Sequence, residues 1–259
     1  MTTSEMHGGI SITPVRGIKL VEPGDDLAAA LLDGLAASGL VLEDGDIVAV
    51  AQKIVSKAEG RQVDLATVEP SAEAERLAVE TEKDPRLVQL MLDESTEVVR
   101  KKPGVLIMRH ALGVVGAHAG VDQSNIDHGS GAGALLLPRN PDASASRIRR
   151  ALMAASGRTV GVLVTDSANR PWRLGTTGIA IGAAGMPVLD DHRGGHDLYG
   201  RELKVTLINR ADSLASAATL AMGETTERTP AAVIRGFAPE DTGQSAADIP
   251  RPLDEDLFR

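Results

Sequence analysis

Two short aliphatic runs, Ile47–Ala51 and 160–165, constrain the fold of this chain more than any other feature. Neither run contains a charged residue, and uncharged runs of this length are typical of buried β-strands. Helix signals lie between them, among them Asp84 as an N-cap with Pro85 at the first helical position. Because strands and helices alternate without a strict βαβ period, we expect an α+β fold with mixed sheets in one intertwined unit.

The remaining pattern predicts further elements along the chain. These are an edge strand at 9–16, a helix from Asp26 to about Gly39, paired strands at 105–108 and 112–117, a half-buried strand at 203–208 and a helix from Asp212 to Met222. Residues 238–259 are rich in proline, aspartate and glycine, so a loose C-terminal tail is expected to follow a domain over 1–237.

Composition excludes several classes of protein. The 259 residues include no cysteine, which rules out disulfides, thiolate metal sites and a cysteine nucleophile. Lys+Arg 27 against Asp+Glu 36 gives a net charge of −9 and disfavours a general nucleic-acid binder. The N-terminal residues lack a secretory pattern, and the longest uncharged stretch, 174–189, is too short to span a bilayer. We therefore expect a cytoplasmic protein with no nucleic-acid or membrane partner.

An Asp-x-x-Asn pattern occurs twice, each time after an apolar run. Asp122 precedes Asn125, and Asp166 precedes Asn169. A carboxylate at the end of a buried strand is fixed in direction and open to a cleft, and two of them can hold Mg²⁺ or Mn²⁺. The alternative is that each aspartate only caps the turn that follows it.

Cationic residues follow the first aliphatic run. Lys53 and Lys57 come shortly after Ala51, and lysine is a common partner for phosphate. The alternative is a solvated turn. The glycine-rich loop at 129–133 fits neither the P-loop nor the dinucleotide-binding pattern and is predicted to be a flexible connection.

Six segments occur in the order found in one enzyme family: 46–60, 119–125, 135–138, 160–166, 197–203 and 222–224. Together they resemble the coenzyme F420-0:L-glutamate ligase (F420 γ-glutamyl ligase) family in its stand-alone form, from about residue 17 to residue 236. That family joins L-glutamate to the deazaflavin F420-0 and adds further γ-linked glutamates. The resemblance implies GTP as co-substrate, two Mg²⁺ or Mn²⁺ ions with a monovalent cation, and a homodimer that completes the fold.

The chemistry agrees with a need for GTP. A carboxylate does not condense with an amine in water because its leaving group would be oxide. Transfer of the γ-phosphoryl group creates an acyl phosphate, which the α-amino group of glutamate can attack. The resemblance assigns no general base.

The resemblance places the family's site positions on particular residues of this chain. Its metal-binding positions fall on Asp122, Asp166, Ser167 and Glu224. Its nucleotide-contacting positions fall on Ile18, Lys19, Leu20, Val21, Gln52, Lys53, Lys57, Asn125, Met222, Gly223, Thr225 and Thr229.

A charged loop is a candidate for the anionic substrates. Arg193 and Arg201 are cations near Tyr199, whose ring is suited to stack on a deazaflavin. The alternative is an ion-paired surface loop.

The chain departs from the family pattern in one segment and at one further position. Residues 225–228 are Thr-Thr-Glu-Arg where many relatives carry glycines, and His118 stands where asparagine is expected. These departures leave a second hypothesis open, a nucleotide- and metal-binding relative without ligase activity or with a different carboxylate acceptor. A third hypothesis is a structural protein that binds no metal.

Overall fold

The computed structural model describes residues 9–126 and 131–257, and these form six α-helices, four 3-10 helices and twelve β-strands. The α-helices are α1 (Leu27–Ala37), α2 (Gln52–Ala58), α3 (Ala72–Thr81), α4 (Pro85–Asp93), α5 (Pro141–Ser156) and α6 (Arg210–Met222). The strands are β1 (Ser11–Val15), β2 (Ile47–Ala51), β3 (Gln62–Asp64), β4 (Ser95–Lys102), β5 (Val105–His110), β6 (Val115–Ala117), β7 (Gly133–Leu135), β8 (Gly161–Asn169), β9 (Thr176–Ala184), β10 (Leu189–Asp191), β11 (Leu207–Asn209) and β12 (Ala231–Arg235). The 3-10 helices are Leu65–Thr67, His118–Gly120, Ala246–Asp248 and Leu253–Glu255.

A five-stranded sheet in the order β1-β12-β2-β8-β9 forms the centre of the molecule. Strands β2 and β8 are parallel, and the other neighbouring pairs are antiparallel. A three-stranded sheet β4-β5-β6 and two smaller pairs, β3-β7 and β10-β11, accompany it. Mixed sheets with helices confirm the predicted α+β class.

Both faces of the central sheet are buried, which explains why β2 is apolar throughout. Val48 and Val50 point into a core shared with α1 and α5, while Ile47 and Ala49 point into a second core beneath α6. Since alternate residues of a strand face opposite sides, a strand buried on both faces has no polar position.

A third core lies between the three-stranded sheet and helices α3 and α4. Leu77, Met91, Leu106 and Met108 are buried in it. The predicted N-cap of α4 is confirmed, because the Asp84 carboxylate accepts a hydrogen bond from the amide of Arg86.

A partly buried ion pair connects this third core to the segment that follows α2. Arg61 donates to the carbonyl of Leu137 at 2.8 Å and to the carboxylate of Glu94 at 2.5 Å. His110 Nε2 lies 3.4 Å from the same carboxylate. Charge-assisted hydrogen bonds of this kind hold two elements in one fixed geometry.

The structure corrects two local predictions and adds one strand. Residues 52–58 form helix α2 rather than a solvated turn. The strand predicted at 203–208 is reduced to β11, because its partner β10 offers only three residues for pairing. Strand β9 was not predicted, since its glycines and alanines have low β-propensity.

Close packing explains the small residues of β9. A Cβ atom at Gly178 would overlap the backbone of Ala215 in α6, and one at Gly182 would overlap Pro141 at the start of α5. Glycine therefore allows both helices to approach the edge strand directly.

The segment predicted as a loose tail makes several contacts with the rest of the chain. The side chain of Gln244 accepts hydrogen bonds from the amides of Val188 and Leu189, and Asp142 accepts one from the amide of Ala246. The division of the chain at residue 237 stays a prediction. The glycine-rich loop at 129–133 is described only from residue 131, so the prediction for its first part lies outside the described residues.

No helix in the described ranges combines the length and the apolarity that crossing a bilayer requires.

The close packing of β9 on α6 predicts that an added side chain at Gly178 destabilises the protein. We expect Gly178→Ala to lower the free energy of unfolding by about 1–3 kcal/mol, because the added methyl group forces the helix backbone away from the strand. Gly116→Ala is the matched control, since a Cβ atom there meets nothing within 4 Å. Urea denaturation measures both variants, and equal stability of the two would contradict this account.

Candidate functional site

A cavity of about 670 Å³ lies where β2 and β8 reach the same edge of the central sheet. The parallel register pairs Ala51 with Thr165, so the start of α2 and Asp166 lie side by side. Segments 18–21, 122–125 and 222–230 complete the walls. The cavity therefore gathers residues that lie far apart in the sequence.

Lys53 and Asp122 form an ion pair on one wall of this cavity. Lys53 Nζ lies 2.6 Å from Asp122 Oδ2 and 2.7 Å from Ser124 Oγ. The amide and hydroxyl of Ser124 both donate to the Asp122 carboxylate. Burial acts to raise the pKa of Asp122, but these donors outweigh it and hold the pKa below its usual value.

A chain of hydrogen bonds joins α2 to the loop after α6. Lys57 Nζ donates to the carbonyl of Asn125 at 2.8 Å, and Asn125 Nδ2 donates to the carbonyl of Thr225 at 3.1 Å. Burial, reinforced by the charge of Lys53, lowers the pKa of Lys57. Two ammonium groups are thus held close together at the cavity wall, which favours an anionic ligand.

Glu224 is held by hydroxyl groups from the two strands opposite it. Ser167 Oγ donates to Glu224 Oε1 at 3.0 Å, and Thr176 Oγ1 donates to Glu224 Oε2 at 2.6 Å. Gly223, just before it, has φ of 74° and packs against the side chain of Glu227. The carboxylate of Glu227 in turn accepts from the amide of Thr225, so the 223–229 loop folds back on itself.

The backbone before Asp122 adopts an uncommon conformation. His118, Ala119 and Gly120 have φ of 60°, 54° and 67°, all in the left-handed region that non-glycine residues rarely adopt. Such conformations persist only where the surrounding structure enforces them, and they are concentrated at functional sites. Ala119 and Val121 are buried in the third core, which provides that enforcement.

Asp166 carries the largest electrostatic perturbation in the cavity. Burial, with a smaller contribution from the neighbouring charge of Asp122, raises the pKa of its carboxyl to about 6. Hydrogen bonds from the amide of Ser167 and the side chain of Gln52, with the charge of Lys53, oppose the shift. Two carboxylates of like charge this close together favour a bound cation.

The oxygen donors of the cavity fit a divalent cation, although they are not assembled as a ready site. Asp122, Asp166, Glu224 and the Ser167 hydroxyl are the hard ligands that Mg²⁺ and Mn²⁺ prefer. In the described ranges no three acidic or histidine side chains converge closely enough to form a metal centre by themselves. Asp122 is engaged by Lys53, and Glu224 by Ser167 and Thr176.

Comparisons with known proteins show the family to which the chain belongs. The sequence model of the family described as "F420-0:Gamma-glutamyl ligase" matches residues 17–236. The chain belongs to the F420-0:gamma-glutamyl ligase family. A "Coenzyme F420:L-glutamate ligase" of Methanopyrus kandleri is 46% identical over 254 residues, covering 96% of this chain and 98% of that protein. A protein of the same name from Methanothermobacter thermautotrophicus is 43% identical over 253 residues, covering 97% and 99% respectively.

All the positions assigned to metal and nucleotide by resemblance to the ligase family line this one cavity. The four proposed metal ligands and the twelve nucleotide positions come from five separate parts of the chain. The structure brings them together, while their roles stay predictions. One detail is corrected: Asp166 lies within β8, and Asp122 follows a 3-10 turn and makes an isolated bridge to Leu135, so neither simply ends a strand.

The three residues proposed for substrate binding do not line this cavity. Arg193, Tyr199 and Arg201 belong to the long loop between β10 and β11, called here the β10–β11 excursion (residues 192–206). Arg193 is paired with Asp191, which lies two residues earlier, and Tyr199 is 95% exposed. Within one copy of the chain, the observed contacts are those of the alternative, an ion-paired surface loop.

Sequence reasoning missed two hydroxyl residues of the site. Ser124 lies between Lys53 and Asp122, inside a segment already singled out, and its place in an Asp-x-Ser turn was the available signal. Thr176 reaches Glu224 from β9, a strand that the sequence did not predict. No local pattern identifies Thr176, because its role depends on the β8–β9 pairing.

The raised pKa of Asp166 predicts how stability depends on pH. Its folded pKa of about 6 exceeds the usual 3.8, so the folded state binds more protons between these values and stability falls as pH rises through them. In metal-free protein, Asp166→Asn should remove this fall and gain on the order of 2 kcal/mol relative to wild type at pH 7, with little gain at pH 4. Chemical denaturation with a chelator present at both pH values measures it, and a gain independent of pH would refute the assignment.

Proposed function

We propose that this protein is a GTP-dependent ligase that joins L-glutamate to F420-0 and then adds further γ-linked glutamates. The observation that carries the proposal is the single cavity lined by every metal and nucleotide position inferred from the ligase family. Family membership and near full-length similarity to proteins named coenzyme F420:L-glutamate ligase support the same substrates.

The charges in the cavity suit a nucleoside triphosphate. Four cationic side chains line it together with four acidic ones: Lys19, Lys53, Lys57, Arg228, Asp122, Asp166, Glu224 and Glu227. Lysine ammonium groups neutralise phosphate oxygens as point charges. The acidic set faces the cations, as expected of a site that takes a divalent metal together with a polyphosphate.

We assign the nucleotide to the walls built by 18–21, α2 and the 223–229 loop. The exposed apolar side chain of Leu20, with Ile18, offers a surface for a flat base. Lys53 and Lys57 would bind phosphate, and the 223–229 loop closes the opposite side. Arg228 brings a cation to the position where many relatives have glycine, so the departure adds phosphate-binding capacity.

Mg²⁺ or Mn²⁺ would be held by the four proposed metal ligands, Asp122, Asp166, Ser167 and Glu224. The bound cation would neutralise the negative charge on the phosphoryl group during its transfer. A monovalent cation is part of the same proposal. The protein's own contribution is to orient the acceptor carboxylate toward the terminal phosphate and to keep water from the acyl phosphate. The α-amino group of glutamate then attacks this mixed anhydride, releasing phosphate and forming the amide.

The proposal includes a homodimer. Leu174, Leu198, Tyr199 and Val205 are 86–100% exposed on the β8–β9 turn and on the β10–β11 excursion. Apolar groups exposed in this way mark surfaces for protein association. Contact with a second copy would cover them, and would offer Arg193, Tyr199 and Arg201 a way to reach a partner's site.

Isosteric removal of each metal carboxylate tests the ligase proposal. Without ligands, we expect Asp166→Asn to melt no lower than wild type and Asp122→Asn to melt slightly lower, because asparagine caps turns about as well as aspartate but the second variant loses the ion pair with Lys53. Each should lose at least roughly a hundredfold in ligation rate, on the order of 3 kcal/mol, because the cation loses an anionic ligand. Mass spectrometry of F420-0 incubated with GTP, Mn²⁺ and glutamate measures the product.

Ser167→Ala serves as the milder comparison, because a neutral hydroxyl contributes less than a carboxylate. Full activity of Asp166→Asn at ordinary Mn²⁺ concentration would overturn the metal assignment. Wild-type protein that shows a metal-dependent GTP thermal shift without product would favour the second hypothesis, a binding protein or a ligase for another carboxylate. Absence of any such shift would favour a structural protein.

Light scattering tests the homodimer. We expect a mass of about 54 kDa, twice the 27.0 kDa of one chain. Leu174→Glu combined with Leu198→Glu should shift the mass toward 27 kDa, because a charge cannot be buried at an apolar interface without cost. Both side chains are almost fully exposed in the single chain, so the variant should keep its folded circular dichroism spectrum. A wild-type mass near 27 kDa would contradict the dimer.

A further inference from the structure

A second cavity, of about 620 Å³, lies along the edge strand β9 and is nearly as large as the first. Its walls are the turn before β6, residues 179–181 of β9, the first turn of α5 and the C-terminal segment 246–251. The two cavities share no residue. A volume of this size is in the range of pockets that enclose small organic ligands.

The second cavity begins next to the carboxylates of the first. Ile179 lines the second cavity and is paired directly with Asp166 in the β8–β9 ladder. Directly paired residues of antiparallel strands point to the same face with Cβ atoms about 5 Å apart. On the opposite wall, the chain leads from Val115 through β6 to Asp122. A ligand in this cavity can therefore direct one end toward the Asp122–Asp166 pair.

The floor of the second cavity is apolar. Its lining includes the aliphatic side chains of Leu112, Val114, Ile179, Ile181 and Ile249. Free glutamate has no apolar body to cover this surface. A ligand that buries it must contain an extended aromatic or aliphatic part.

The acidic side chains of this cavity are already engaged by donors from the protein. Asp142 accepts hydrogen bonds from the amides of Ala183 and Ala246 at 2.7 and 2.9 Å. Asp212 accepts one from the amide of Ala180 at 2.8 Å, and Asp256 pairs with Arg109 at 3.1 Å.

Two arginines at the rim have no such partner. Arg139 and Arg251 line the cavity and are exposed, and within the described part of the chain neither guanidinium is paired with an acidic side chain. Exposed guanidinium groups above an apolar floor select a ligand that is apolar at one end and anionic at the other.

We propose that this second cavity binds the body of the carboxylate-bearing acceptor, an aromatic molecule with an anionic arm. This inference rests on the proposed function, in which that acceptor is F420-0. The apolar part lies on the aliphatic floor, Arg139 and Arg251 bind the anionic arm, and the reacting carboxylate extends past Ile179 to the first cavity. The nucleotide and the acceptor thus occupy separate cavities, which adjoin at the paired residues Asp166 and Ile179.

Removal of the two rim arginines tests this assignment. We expect Arg139→Ala combined with Arg251→Ala to raise the KM for F420-0 at least about tenfold, since contacts to charged groups are lost. The KM values for GTP and glutamate and the Mn²⁺-dependent GTP thermal shift should stay within twofold. Arg150→Ala is the matched control, because Arg150 is an exposed arginine of α5 that lines neither cavity.

A second variant tests the floor without changing charge. Val115 is 37% exposed at the cavity wall, so Val115→Trp fills the space with little cost to the core. Equilibrium binding of F420-0 to nucleotide-free protein, followed through the deazaflavin absorbance, should weaken at least about tenfold in both variants. Binding of GTP with Mn²⁺ should be unchanged.

The outcomes separate this inference from the proposed function. If wild-type protein ligates F420-0 but the variants keep the wild-type KM and binding, the acceptor binds elsewhere and only the second-cavity assignment fails. A fall in kcat alone, with unchanged F420-0 binding, also overturns it. If wild-type protein neither binds nor ligates F420-0, the proposed function and this inference fail together.

Discussion

The parallel pairing of β2 with β8 is the constraint on which the whole site depends. Because the two strands run in the same direction, the start of α2 and Asp166 reach the same edge of the sheet. Ligand sites in sheets with parallel strands form at this carboxyl edge, where backbone turns leave room for a ligand. The burial of β2 on both faces fixes its register, since a slip of one residue would exchange the two cores.

Around that fixed edge, side-chain hydrogen bonds connect segments that have no regular structure. Lys57, Asn125 and Thr225 link α2 to the two loops on either side of the cavity. Glu224 is joined to β8 and β9 through Ser167 and Thr176. Local strain in the turn before Asp122 is compatible with this arrangement because the third core holds Ala119 and Val121 in place.

Much of the fold could be predicted from local sequence signals. The aliphatic runs identified β2 and β8, and side-chain caps located the starts of α1 and α4. Strand β9 was missed because its glycines serve the close approach of helices, which only the tertiary structure reveals. The α2 helix was missed because its two lysines follow a strand with no side-chain cap to signal a helix start.

The site itself was predicted mainly by resemblance to a family, and the physical chemistry of single residues would not have assembled it. Asp122 and Asp166 were singled out as carboxylates after apolar runs, and both do line the cavity. Their electrostatic interaction, and the part taken by Thr176, depend on strand pairing over long sequence separations. Arg193, Tyr199 and Arg201 were chosen as cations and an aromatic ring suited to anionic substrates, and within a single chain their loop does not reach the cavity.

The ion pair of Arg61 with Glu94 also has a consequence for cooperativity. Local opening between the central sheet and the third core would break this partly buried pair and the Arg61–Leu137 hydrogen bond together, and both groups would pass into water. Asp122 follows Ala119 and Val121, which are buried in the third core, and Asp166 belongs to β8 of the central sheet. The two carboxylates therefore stay together only while these two layers remain packed against each other. The same free energy that suppresses sub-global unfolding therefore keeps the two halves of the site assembled.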